Sequence, residues 1–216
     1  AAHGGPPWEA PCYTQIRVDV LAPGNAENLL RAVLGDDPAL GPIKRLLIDR
    51  TQGNPFFLEE SARTLVENGL LAGERGAYRP TRPVEAIQVP GSVQAVLAAR
   101  IDRLAPDDKR LLQCAAVIGE TVPLALLEAV AGVANAQLRE SLGRLRAAEF
   151  LQDTSVFPEP EYGFRHGLVC RVAYDSLLRE QRRTLHGRVV AAIERLYADR
   201  RAEHVERLAH HALQGE

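Results

Sequence analysis

Apolar residues recur along most of this chain with the three-and-four spacing of an amphipathic helix, and only two short stretches alternate as a strand does. Leu29, Leu30, Val33 and Leu34 predict a first helix, Leu40, Ile43, Leu46 and Leu47 a second, and Leu58, Ala62, Leu65 and Val66 a third. Ahead of them, Tyr13–Val20 alternates between Pro11 and Pro23 and predicts one strand of a sheet whose other strands lie elsewhere. Gly69, Gly73, Gly76, Pro80 and Pro83 then mark a linker, with Leu70-Leu71 and Ala77-Tyr78 flanking Glu74-Arg75-Gly76 as a short hairpin.

Beyond the linker, Ser92 precedes a helix with Val93, Leu97, Ile101 and Leu104 on one face. Pro106 opens another, with Asp107 and Asp108 in its first turn and Leu111, Leu112, Ala115 and Ile118 to be buried. Val122–Val130 is expected to be helical, and Leu138, Leu142, Leu145 and Ala148 make a helix ending near Glu149. Phe150–Asp153 is read as a turn region, followed by Pro158, Pro160 and a strand at Tyr162–His166; helices followed by a β-hairpin predict a winged helix. From Leu168 onward the pattern is helical again. Leu185, Val189, Ile193 and Leu196 share one face and Val205, Leu208, Ala212 and Leu213 another, as at the start of an α-solenoid.

The expected fold is therefore mainly α: a helical lid, a winged-helix domain with a small β-hairpin, and the first helices of a solenoid. The boundaries fall at 1–22 for the last strand of a nucleotide-binding core, 23–88 for the lid, 89–167 for the winged helix and 168–216 for the repeats.

Composition narrows the function without naming it. The 216 residues are 46% apolar and 25% charged, which is ordinary for a globular chain, and the formal net charge of −2 supplies no basic field for nucleic acid or an anionic membrane. Cys12, Cys114 and Cys170 are too far apart for a disulfide framework or a zinc knuckle, so a reducing cytoplasm is expected. No run of apolar residues is long enough to span a membrane, and no secretory signal opens the chain. The sequence holds no Met and begins abruptly at Ala1, which suggests a piece of a longer polypeptide.

The most informative motif is Gly53-Asn54-Pro55 before Phe56-Phe57-Leu58. Asn suits the N-cap of a helix and Pro its first position, where no N–H is needed. Gly53, lacking a Cβ, would let a flat ligand approach the backbone and rest against the Pro55 ring. The same residues read blandly as a well-capped helix after a turn.

Other candidates fail. No Gly-rich loop ends in Lys-Ser or Lys-Thr, since Lys44 follows Ile43 and Lys109 follows Asp108, so the phosphate loop of an ATPase is absent from this sequence. Leu46-Leu47-Ile48-Asp49 has a Walker B shape but belongs to the second helical stripe. His204, His210 and His211 lack acidic or thiol partners at metal-ligand spacing, and His204 and His211, which share a face, are expected to point to solvent. Cys170 is read as a packing residue. No catalytic constellation emerges.

Five blocks in order carry a resemblance: Thr51–Glu60; Val89-Pro90 with Ser92–Leu104; Ala115–Gly119; Tyr162–His166 with Val172-Ala173-Tyr174; and Leu208–Ala212. Over roughly Pro11–Glu216 the chain resembles the C-terminal half of a STAND-type AAA+ ATPase module, of the kind joined to bacterial class III adenylate or guanylate cyclases. The resemblance implies that Gly53, Asn54 and Pro55 form the lid element against the adenine of ATP or ADP, and that His166 reaches the phosphates in the closed, ADP-bound state. Gly167 and Arg171 stand where the family pattern has Ala and an acidic residue. Mg would be held only in the intact parent, and the implied partners are an upstream P-loop core and cyclase domain plus proteins docking on the repeats. Two rivals stand beside this reading: a DNA-binding winged helix using Leu138–Glu149, which the acidic Glu140, Glu149, Asp153, Glu159 and Glu161 disfavour, and a helical interaction scaffold.

Overall fold

The computed structural model describes residues 19–83, 87, 89–155 and 159–215. The chain is mainly helical with small antiparallel sheets, and it divides into two compact units, 1–93 and 94–216.

In the first unit, α1 (Pro23–Leu34), α2 (Gly41–Thr51) and α3 (Pro55–Glu67) pack around Leu30, Leu34, Ile43, Leu47, Leu58 and Leu65, with a short 3₁₀ turn, Pro38–Leu40, between α1 and α2. Each predicted stripe supplies buried residues to this core; Leu29, Val33, Leu46 and Val66 line its edge. β1 (Leu71–Ala72) and β2 (Arg79–Pro80) form the expected hairpin, with Leu71 opposite Pro80 and Ala72 opposite Arg79. Its loop is tied to the end of α1, where the Gly76 and Tyr78 amides donate to the Val33 and Leu34 carbonyls at 3.0 and 2.9 Å. Nearly buried Lys44 reaches the same end, its Nζ donating to the Gly35 carbonyl at 2.5 Å, where a cation complements the helix dipole. The strand expected over Tyr13–Val20 lies outside the described residues up to Val18, and Asp19 and Val20 are exposed and outside any strand.

The second unit starts with α4 (Val93–Asp102) and α5 (Pro106–Ile118). After α5 come β3 (Thr121–Pro123), α6 (Leu124–Ala131), α7 (Asn135–Ala147), β4 (Leu151–Ser155) and β5 (Glu161–Phe164). The three strands form one antiparallel sheet in the order β3-β5-β4, with Thr121 opposite Gly163 and Leu151 opposite Phe164. Leu111, Leu112, Ala115 and Ile118 of α5 are all buried, and α5 packs against α6 and α7. It also packs against α8 (Gly167–Asp175) and α9 (Arg179–Leu196). A 3₁₀ segment, Ala198–His204, leads to α10 (Val205–Gly215), which lies chiefly along α9.

Two predicted elements differ. Val122 is a fully buried β3 residue rather than the start of a helix, because Pro123 after it disfavours helical backbone and the helix begins only at Leu124. Phe150–Asp153 is not a turn: the reversal is made by Glu149, whose φ of 58° is left-handed, and β4 starts two residues later at Leu151. Phe150 and Phe164 are buried and Asp153 is exposed, but Leu151, in phase with Asp153, is buried as well and Glu161 is half-buried, so burial in this sheet does not follow strict alternation.

Candidate functional site

At the start of α3 the chain makes a tight reversal. Gln52 closes α2 with φ 51°, Gly53 follows at φ 77°, and Asn54 then caps α3, its Oδ1 accepting the Phe57 amide at 3.0 Å. Pro55 occupies the first helical position with its ring exposed. The local expectation therefore holds in its capping chemistry and differs at Gly53. That residue is buried, its carbonyl accepts the Leu21 amide at 2.8 Å, and a Cβ there would run into the Leu21 carbonyl oxygen. The close approach that Gly53 permits is made by the chain's own backbone.

His166 belongs to the other unit. It is exposed and serves as N-cap of α8, its Nδ1 accepting the Leu168 amide at 3.1 Å, so that the ring proton sits on Nε2. Gly53, Asn54 and Pro55 are thus contiguous at one helix start and His166 at another.

Salt links occupy two of the three arginines of α7, Arg144 and Arg146. Arg144 donates to both carboxylate oxygens of buried Asp108 at 2.8 Å, and that hydrogen bonding holds the Asp108 carboxyl below its usual range. Arg146 pairs with Asp153 at 2.5 Å. Arginines engaged in this way are poorly placed to neutralise phosphates.

In the second unit a cleft of about 940 Å³ lies between the C-terminal turn of α5 and the α9–α10 pair. His186 on α9 and His211 on α10 are each 1% exposed, and their Nδ1 atoms lie 2.7 Å apart. The Tyr174 hydroxyl is 3.0 Å from His186 Nε2, and exposed His210 packs edge-on against both buried rings. Burial, then neighbouring positive groups, pushes both His186 and His211 down to about 4. His211 is thus not the solvent-facing residue expected from its neighbours. The signal for His186 was present in the spacing: His186, Val189 and Ile193 are the buried stripe of α9, whereas Leu185 is only half-buried and Leu196 is exposed.

Among the described residues no group of three or more His, Cys, Asp or Glu is arranged to hold a metal ion, and no helix is long and apolar enough to cross a membrane. Cys170 is half-buried in α8 with its Sγ 3.8 Å from the Ala116 carbonyl, and burial pushes its thiol up to about 11. It has the environment of a packing residue.

No family model matches the chain. An uncharacterised protein of Rhizobium meliloti (strain 1021) is 29% identical over 152 residues, a match that takes in 68% of this chain and 14% of that protein's length.

Proposed function

We propose that this chain is the nucleotide-responsive regulatory segment of a STAND-type AAA+ signalling protein whose other domains include an adenylate or guanylate cyclase. The observation that supports the reading most is the start of α3: a capped helix with the Pro55 ring exposed beside the cap, as a lid element against adenine requires. The order α5-β3-α6-α7-β4-β5, with strand order β3-β5-β4 and His166 after the last strand, supports the winged-helix part of this reading. In the parent, ADP would hold the lid and winged helix closed and ATP would release them, a two-state element biased by differential affinity.

Calorimetry on the full-length parent tests this. Pro55→Ala and His166→Ala are each expected to weaken ADP binding by about tenfold or more, roughly 1.4 kcal/mol. Unchanged affinity in both variants would remove the reading. It would favour instead the interaction scaffold, for which the exposed Val205 and Leu213 on α10 speak. The isolated chain, having no phosphate loop, is expected to bind ATP weakly and not to hydrolyse it.

A further inference from the structure

Helix α10 has one buried side chain, and it is a histidine. A helix of this length is ordinarily seated by a stripe of apolar residues. Here Val205 and Leu213 are 60% and 74% exposed and Leu208 is half-buried, while the inward position holds His211.

The bonding around that ring has a direction. His211 makes a hydrogen bond to the Ile118 backbone that favours its protonated form, so a ring N–H donates to the carbonyl. Its Nδ1, facing His186 Nδ1, must then be that bond's acceptor in the neutral state, and His186 must be the Nδ1–H tautomer. His186 Nε2 is left to accept from the Tyr174 hydroxyl. One assignment satisfies all three bonds: Tyr174 to His186, His186 to His211, His211 to Ile118. A proton added at His186 Nε2 can be accommodated by rotation of the Tyr174 hydroxyl. A second proton, at His211 Nδ1, cannot, because with His186 already protonated it sets two N–H groups head to head.

We propose that the His186–His211 contact is a proton-operated latch that seats α10 on α9, and that acidification releases α10 before the rest of the unit unfolds. The surroundings give a charged pair little support. From α9, Arg182 faces His186, with its guanidinium 4.5 Å above the Tyr174 ring; from α10, Arg207 and His210 add positive charge, and from α8 only Tyr174 approaches. The α5 turn, Ala116–Gly119, carries no ionisable side chain. Glu203, His204 and Glu206 line the cleft, without a hydrogen bond to either buried ring among those described. Both rings are held from 6.5 down to about 4, so the seat is intact above about 6.5 and is lost as pH falls from there toward 4.

Hydrogen exchange of the full chain, corrected for the intrinsic pH dependence of exchange, tests the latch by comparing amides of 205–215 with those of 111–118. Protection of 205–215 is expected to fall by about tenfold or more between about pH 7 and about pH 5 while 111–118 stays protected. The double substitution His186→Phe with His211→Leu should abolish that difference. Parallel loss of protection in both segments, or an unchanged pH response in the double variant, would overturn the proposal. Should the double variant not fold, imidazole ¹⁵N shifts of the wild-type protein decide. Neutral rings until α10 releases support the latch, and titration of His186 and His211 near the ordinary histidine value with α10 still protected refutes it.

Discussion

Gly53→Ala puts the turn ahead of α3 to a sharp test. At φ 77° an L-residue is strained by about 1–3 kcal/mol, and the new Cβ would also meet the Leu21 carbonyl oxygen, which belongs to backbone and cannot swing aside. Moving that segment breaks the 2.8 Å bond from the Leu21 amide to the Gly53 carbonyl, worth about 1 kcal/mol more. The expected loss is about 2–4 kcal/mol in the unfolding free energy of the first unit, read from urea melts followed by circular dichroism. Gln52→Gly is the control, because Gln52 is also left-handed at φ 51°. It should be neutral or stabilising, by about 1 kcal/mol at most. A loss below about 1 kcal/mol for Gly53→Ala would show that the Leu21 segment does not hold Gly53 in place. If stability were kept while the parent lost ADP affinity, the small residue would be serving a ligand and not the chain's own backbone.

Three further outcomes are expected. Phe164→Ala should cost about 3–5 kcal/mol in denaturant melts, since the ring is 8% exposed and its strand is central in the sheet; a loss below about 1 kcal/mol would contradict that burial. Asp108→Asn should lower stability at neutral pH by about 1–3 kcal/mol. Because the Asp108 carboxyl is held below its usual 3.8, its contribution is present above that value and lost as pH falls below it, so wild type and variant should converge in acid; a constant gap would refute the link. Cys170, its thiol pushed up to about 11, should alkylate with iodoacetamide at neutral pH roughly a hundredfold more slowly than a free cysteine, and rapid site-resolved labelling would contradict its packing role.

The helices were legible wherever apolar spacing was regular, and so was the cap at Asn54, whose chemistry is local to three residues. Val122 was misplaced because Val122–Val130 is apolar enough to suit a buried strand or a helix, and Pro123, which separates them, acts on the residue before it. Glu149 carries no compositional mark of a left-handed turn, which moved β4 into a predicted loop. Gly53 was singled out for the right property, its missing Cβ, but its neighbour in space is Leu21, thirty-two positions earlier, and no local pattern reports that. His186 and His211 escaped because histidine counts as polar in a hydrophobic stripe, although the spacing of His186 to Val189 and Ile193 is that of core residues.

Arg100 decides where this chain can be cut. Its side chain is 3% exposed, its Nη2 donates to the Ala148 carbonyl at 3.0 Å, and its guanidinium lies 4.6 Å above the buried Phe150 ring. A guanidinium so enclosed makes α4 the cover of the α7–β4 corner. Dissection of the protein should therefore spare α4: a piece beginning before Ser92 keeps the aromatic ring shielded and the carbonyl bonded, whereas one beginning after Leu104 opens Phe150 to water and is expected to be sticky in solution.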